Sequence, residues 1–437
     1  MCNVRDFSPW FAQPGALAFE HRRAAMPFRN SLPLSQEAIQ PAWHNLCEQV
    51  LAPNKRLVYL HIPFCATQCK FCGFYQNKFQ ADEAARYASY LYQEIELEAA
   101  SPLHQSAPIH AVYFGGGTPT ALAANDLYTL IRRLKASLPL APDCEITIEG
   151  RILNFDDERI DACLDAGANR FSIGIQTFDS RVRKRMARTA NQEQAIAFLK
   201  NLCRRDRAAV VCDLIFGLPG QTAESWQKDL EIVKEIGLDG VDLYALNLLP
   251  QTPLAKAMEN ERVTLPDVVQ RRDFYLQGAE CLEAFGWRQL SNSHWASTTR
   301  ERNLYNLLIK QGADCLALGA GAGGNLDGQA WMNKRSLEDY YAALEKNEKP
   351  IAMMTAATHT PWRHQLQGGI ERGRLDLHEL TPYAAQLQPL IDQWHESGLL
   401  RDRSLCLRLT NGGRFWANNL LQALGEILPG LQPAETK

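Results

Sequence analysis

From about Lys55 to Leu249 the chain alternates short β-branched or apolar runs with longer stretches of helical periodicity, and this alternation admits few folds. A strand, a crossover helix and a second parallel strand form the repeating unit of α/β proteins. Strands are predicted over Leu57–Ile62, Ala111–Phe114, Glu145–Ile148, Arg170–Ile175, Val210–Ile215 and Val241–Leu246. The intervening stretches near Glu83–Glu98, Asn125–Leu138, Asp157–Ala166, Ala190–Arg205 and Ala223–Ile236 have helical spacing, and each is long enough for a right-handed crossover. A closed barrel of this kind has eight units. The six here predict an α/β fold, a partial (βα)6 TIM-like barrel whose open side admits a large substrate.

The 437 residues exceed one barrel of this size, and about 100–200 residues per domain gives two or three units. Residues 1–54 read as an arm or lid: irregular, rich in Pro and aromatics (Phe7, Trp10, Phe11, Phe19, Phe28), with a basic cluster at Arg22, Arg23 and Arg29. Residues 55–250 are the core barrel. Residues 251–357 are expected to be a helical region covering it, with a helix around Val268–Phe285 and a glycine-rich run at Gly319–Gly324. Residues 358–437 resemble a small winged-helix module, with a helix at Leu387–Ser397, a strand at Leu405–Leu409, a turn at Asn411-Gly412-Gly413 and a last helix at Arg414–Ile427.

A net charge of −3 and a pI near 6.4 provide no basic field for nucleic acid or an anionic membrane, and the tail has no basic recognition stripe. No run reaches the ~18 apolar residues of a membrane span, and the residues from Met1 through Asp6 have no apolar signal core, so a cytoplasmic protein is expected.

Cys65, Cys69 and Cys72 stand at C-x-x-x-C-x-x-C spacing in the loop directly after the first strand. Zinc usually requires a fourth Cys or His at paired spacing, and His61 lies on the strand side with no such pair downstream. Iron-sulfur clusters take thiolates at short loop spacings, and three ligands leave one iron of a 4Fe-4S cluster open. The other cysteines, including Cys47, Cys144, Cys212 and Cys315, are scattered singly among apolar neighbours and read as small buried hydrophobes. The three-cysteine motif closely resembles that of the radical S-adenosylmethionine (SAM) family. The resemblance implies that the open iron chelates SAM, and that an electron then breaks the sulfonium bond to release a 5′-deoxyadenosyl radical.

Polar residues at the C-terminal ends of successive strands fit a barrel site. Gly115-Gly116-Gly117-Thr118-Pro119 follows the second strand, where backbone without side chains can approach a ligand closely and offer N–H groups to SAM. Glu149 ends the third strand and Gln176 the fourth, Asp213 lies in the fifth, and Arg188 precedes the following helix. A charge inside a parallel strand is costly unless paired.

Tyr-x-His-Ile-Pro-Phe-Cys from Tyr59, the Gly-Gly-Gly-Thr-Pro-Thr run, Gly-x-Gln-x-Phe and Asp-Leu-Ile-x-Gly-Leu-Pro-Gly-Gln-Thr together resemble the coproporphyrinogen dehydrogenase-like branch of that superfamily. The resemblance implies that Tyr59, Phe71, Gly116, Gly117, Thr118, Glu149, Gln176, Arg188 and Asp213 surround SAM, with a second SAM close by. The chain also departs from that branch's dehydrogenases: Cys72-Gly73 is followed by Phe74-Tyr75 rather than a further cysteine, and Glu149-Gly150-Arg151-Ile152 replaces Glu-x-x-Pro. With the long arm, Ser293-His294-Trp295 and Asn303-Leu304-Tyr305-Asn306, the chain is similar to the heme-utilisation subgroup, the anaerobilin synthases.

That likeness implies a methyltransferase that opens heme without oxygen. One SAM gives 5′-deoxyadenosine and methionine, a second donates a methyl group, and iron and a linear tetrapyrrole are released. The resemblance also implies reduced flavodoxin as the electron donor; the chain carries no G-x-G-x-x-G nicotinamide fingerprint of its own. Oxygen-independent coproporphyrinogen III dehydrogenation and non-catalytic heme delivery are the alternatives. His294 is a candidate heme contact, weighed against a hydrogen-bonded structural histidine, and Arg22, Arg23 and Arg29 are candidate propionate partners, weighed against a solvated basic face.

Overall fold

The computed structural model describes residues 6–23, 32–51, 54–358, 361–378, 380–401 and 406–431. Phe28, Arg29 and Leu405 lie outside them.

Twelve strands form one sheet: β1 (Arg56–Ile62), β2 (Ile109–Gly116), β3 (Leu140–Gly150), β4 (Arg170–Gln176), β5 (Ala209–Phe216), β6 (Gly240–Ala245), β7 (Arg288–Gln289), β8 (His294–Ala296), β9 (Asp314–Leu318), β10 (Gly323–Leu326), β11 (Gln329–Asn333) and β12 (Ile351–Met354). Their spatial order is β12-β11-β10-β9-β1-β2-β3-β4-β5-β6-β8-β7. From β9 through β6 every neighbour is parallel. The six predicted strands are β1 to β6, side by side in chain order, as a succession of βα units requires.

The crossovers are α1 (Ala81–Ala99), α2 (Ala124–Ser137), α3 (Asp157–Ala166), α4 (Gln192–Arg204) and α5 (Ala223–Ile236), with a further helix, α6 (Val268–Ala284), after the barrel. Local chemistry sets their ends. Asp156 accepts from the Arg159 amide at the start of α3, and Gly167 ends it at φ 114°. Asn191 with Gln194, Thr222 with Ser225 and Asp267 with Gln270 make capping boxes that open α4, α5 and α6. Each such cap stabilises its helix by about 1 kcal/mol. Apolar residues of the outer strand faces, such as Ile148, Phe171 and Leu214, pack with Leu130, Leu199 and Trp226 of the helices in one continuous core.

Residues 251–357 correct the expectation of a helical cover, because they extend the sheet at both edges. β9 pairs parallel with β1, and β8 pairs antiparallel with β6. The reason is physical: β1 and β6 would otherwise expose unpaired backbone N–H and C=O groups along a buried edge. A short helix, Leu304–Lys310, packs Leu304, Tyr305 and Leu308 against Leu57, Ala111 and Cys315 and closes that part of the inner face.

The C-terminal region is a two-stranded antiparallel ribbon, Arg374–Asp376 with Cys406–Arg408, among the helices Pro361–Glu371, Ala384–Glu396 and Ala417–Ile427. The predicted turn at Asn411-Gly412-Gly413 is instead the first turn of a short helix, Asn411–Phe415, because the Thr410 hydroxyl accepts from the Gly413 amide at 2.9 Å and caps it. Residues 6–23 of the arm lie on this region, whereas the Leu34 amide donates to the Met354 carbonyl at 2.8 Å and Gln40 to the Lys349 carbonyl at 2.7 Å, which holds residues 34–40 of the arm against β12. Gln393 accepts from the Ala12 amide at 2.8 Å, the Trp394 indole donates to the Trp10 carbonyl at 3.0 Å, and Asn419 accepts from the Arg23 amide at 3.0 Å. The Arg22 guanidinium donates to the Phe415 carbonyl and lies 5.1 Å from that ring's centroid. None of the described helices is long and apolar enough to cross a membrane.

Candidate cluster and SAM site

The loop that follows β1 is folded back on itself. The Asn77 amide donates to the Pro63 carbonyl at 3.0 Å and the Phe79 amide to the Cys65 carbonyl at 3.0 Å, so Phe64–Cys65 and Asn77–Lys78 form a short parallel pair. Between them, the Cys72 amide donates to the Cys69 carbonyl, and the Lys70 carbonyl accepts from Leu254. Cys65 and Cys69 are buried, and Cys72 is partly so.

Each thiol has its own polar partner. Thr118 Oγ1 lies 3.3 Å from Cys65 Sγ, Arg188 Nη1 donates to Cys69 Sγ at 3.5 Å, and the Phe74 amide donates to Cys72 Sγ at 3.3 Å. Donors aimed at sulfur stabilise thiolate and tune a cluster's potential. Burial pushes the Cys65 and Cys72 thiols up; at Cys65 the Thr118 hydroxyl and Arg151 oppose it. Among the described residues the one set of three ligand side chains within 4.8 Å of one another is Cys47, Glu98 and His104, so the motif cysteines are not gathered that tightly. A single tetrahedral zinc, with Zn–S bonds of ~2.3 Å, would need its thiolates within about 4 Å of each other. Three thiolates without a fourth protein ligand are the donor set of a 4Fe-4S cluster with one open iron.

The residues expected around SAM converge at the C-terminal ends of the strands. Tyr59 donates or accepts at 3.0 Å with His61 Nδ1, and His61 Nε2 meets the Gln76 amide at 3.3 Å. Burial lowers His61 to about 4, so its ring is neutral at pH 7. Phe71 packs beside Val182, Met186, Leu218 and Leu246. The Tyr113 hydroxyl donates to Glu149 at 2.6 Å; burial raises the Glu149 carboxyl, against that hydroxyl and the Gly116 amide. Asp213 accepts from Ser172 at 3.1 Å and stands at about 7, raised by burial and then by Asp242 and Glu149. Gln176 ends β4 in the left-handed region at φ 73°, and its buried Oε1 has no partner among the described residues, as expected of a group that awaits a ligand.

The glycine run differs in detail from expectation. Gly116, at φ 107°, packs against the His61 ring, and its amide serves Glu149; the Gly117 amide donates to the Ile62 carbonyl at 2.8 Å. These two amides are therefore used internally, and the run contributes room. A Cβ on Gly117 would lie 2.6 Å from the Phe64 carbonyl oxygen and 2.9 Å from that of Ile62. Gly117→Ala is expected to cost about 1–3 kcal/mol and to displace Cys65's loop. Assays of iron and sulfide per chain after anaerobic reconstitution should show a lower content than wild type, with Gly425→Ala, whose Cβ meets nothing within 4 Å, as the unaffected control.

His294 is not a heme contact. It is fully buried on the inner face, with Nδ1 2.9 Å from Asp242 and Nε2 3.1 Å from Glu301. Glu301, Asp242 and Arg170 escaped the sequence reading, although a charge inside a strand was the available signal for Arg170 and Asp242.

Residues 59–233 match the model of the radical SAM superfamily. The chain is 61% identical over 428 residues to an anaerobilin synthase of Escherichia coli O157:H7, covering 98% of this chain and 96% of that one. It is 29% identical over 384 residues to the heme chaperone HemW of Escherichia coli K12, covering 84% and 97% of the two chains. Among solved structures it resembles the radical SAM coproporphyrinogen III oxidase (HemN) of Escherichia coli, with a TM-score of 0.74 and 24% identity over 91% of this chain and 96% of that one, a likeness of fold.

Proposed function

Since this chain belongs to the anaerobilin synthase family of radical SAM enzymes, we propose that it opens heme without oxygen and methylates the porphyrin as it does so, releasing iron and a linear tetrapyrrole. The observation that carries this reading is that the relatedness runs the length of the chain, through the arm and the C-terminal region as well as the barrel. A 4Fe-4S cluster with SAM supplies a 5′-deoxyadenosyl radical when bound.

The chain's own groups have separable tasks. Cys65, Cys69 and Cys72 hold the cluster, with Thr118, Arg188 and the Phe74 amide fixing the sulfurs. Tyr59, Phe71, Gly116, Gly117, Glu149, Gln176 and Asp213 shape the space for SAM; we take the methyl donor to be a second SAM in the same mouth. Phe74 and Leu249 form an exposed apolar rim at the cluster loop, where Gly73 packs on Leu249. A flat apolar macrocycle suits that rim and displaces water from it. Reduced flavodoxin is the proposed donor of electrons, and the cytoplasm the proposed setting.

The test is anaerobic turnover of the reconstituted protein with heme, excess SAM and reduced flavodoxin. The Soret band should disappear while 5′-deoxyadenosine and S-adenosylhomocysteine both accumulate. Heme that binds but stays intact, without S-adenosylhomocysteine, would replace this reading with heme delivery, and turnover of coproporphyrinogen III alone would replace it with decarboxylation.

A further inference from the structure

Beneath the SAM site a ladder of charges crosses the barrel interior. Arg170 Nε in β4 lies 3.1 and 3.0 Å from the two oxygens of Glu301. Glu301 faces His294 Nε2 at 3.1 Å, and His294 Nδ1 faces Asp242 at 2.9 Å. His294 and Glu301 are fully inaccessible, and Arg170 and Asp242 nearly so. Asp242 is aligned with Asp213 across the parallel β5–β6 pair and with His294 across the antiparallel β6–β8 pair. Four ionisable groups held in a dry core cost several kcal/mol in desolvation, which apolar side chains of the same volume would avoid. Structure alone therefore does not call for them.

We propose that His294 is a positioning residue for cofactor binding: brought in by β8 against Asp242, it sets the charge beside Asp213 and thereby the hold of Asp213 on SAM. The inference rests on the reading of Asp213 as a SAM contact. Facing Asp213 are the Ser172 hydroxyl, Asp242, Glu149 and, farther off, Arg170; Arg188, Tyr113 and Tyr244 also lie within electrostatic reach of it. Facing His294 are Asp242 and Glu301, with Arg170 behind Glu301. Three carboxylates around one pocket favour uptake of a proton, and the nearby cations oppose it. That Asp213 sits at about 7 is in keeping with this balance. A carboxylate accepts hydrogen bonds from ligand hydroxyls through both oxygens, whereas the protonated acid gives up part of that capacity, so SAM should bind less tightly on the acid side of that value.

The experiment is equilibrium dialysis of SAM against the anaerobically reconstituted holoprotein across about pH 5.5–8.5. Wild-type affinity is expected to fall on the acid side with a midpoint near 7. His294→Gln should move that midpoint up by about one pH unit, a several-fold weaker binding near neutrality. Asp242→Asn should move it down, and the double variant should return toward wild type, a reversal that a merely structural role would not produce. An unmoved midpoint in a folded His294→Gln protein overturns the proposal. If that variant does not fold, Asp242→Asn alone decides, and an unmoved midpoint there overturns it as well. Wild-type binding without an acid limb, and unchanged in Asp213→Asn, would instead remove the reading of Asp213, and the inference with it.

Discussion

Cys69→Ala is expected to reduce heme turnover to background while leaving the chain folded. Cys69 is buried, and the cluster keeps its open coordination position only if all three other irons have a protein ligand. The substitution also strips the Arg188 guanidinium of its sulfur partner, leaving that buried side chain with the Gly174 carbonyl. Iron content, the broad visible absorbance of the cluster and 5′-deoxyadenosine formation should fall together. Cys315→Ala is the matched control: a buried free thiol that lines the inner face beside Tyr305, where the loss of one sulfur should affect stability modestly and cluster content not at all. Full iron retention in Cys69→Ala would refute the ligand assignment.

Glu301→Gln should be the most destabilising single change in the barrel interior. It leaves Arg170 and His294 buried without their shared carboxylate, and breaking such a group by removing one partner costs about 3–5 kcal/mol. That is a large part of a domain's stability of about 5–15 kcal/mol, so a lower urea midpoint should be obvious. The same ladder gives a pH signature. Burial would pull His294 down, but Asp242 and Glu301 outweigh it and hold it at about 9. Its contribution to stability is complete below the ordinary 6.5 and is lost as pH rises through 9. Burial would favour the neutral acid at Glu301, but Arg170 and His294 hold it at about 2, so its contribution is complete above 4.5 and is lost as pH falls through 2. Asp213, raised to about 7, contributes fully below 3.8 and loses that contribution as pH rises through 7. Melting temperature should therefore decline between pH 6.5 and 9, and His294→Gln should flatten that limb. An equally steep limb in the variant would show that other groups produce it.

What the sequence made legible follows from the range of the interactions involved. Strands β1 to β6 are short runs set apart from helical stretches of different period, so the switch between periods marks each unit within a few residues. Local chemistry also fixed several helix starts, as Asp156 and Asn191 do for α3 and α4. The strand Asp314–Leu318 was missed although the run sits between Gly312 and Gly319, because a short apolar run does not distinguish a strand from a piece of buried helix. Its state is decided by the vacant edge of β1, more than 250 residues away in sequence. The cluster cysteines were legible because their chemistry lies within eight residues of one loop. For His294 the sequence left a heme contact and a hydrogen-bonded structural histidine both open, because its partners come from β6 and from the loop at Glu301 and nothing near Ser293-His294-Trp295 announces Asp242; the structure shows the structural one. Thr410 escaped as well, since two adjacent glycines suggest a turn more strongly than a capped helix.

The bonds from Ala12 to Gln393, from Trp394 to Trp10 and from Arg23 to Asn419 join positions nearly 400 residues apart. During synthesis the arm emerges long before the surface that receives it exists. The barrel strands β1 to β6 and the cysteine loop can all have left the ribosome while residues 6–23 still have nowhere to dock, so their docking comes late in the order of assembly. A chain interrupted before Gln393 would carry every cluster ligand and yet leave residues 6–23 without any of these three anchors.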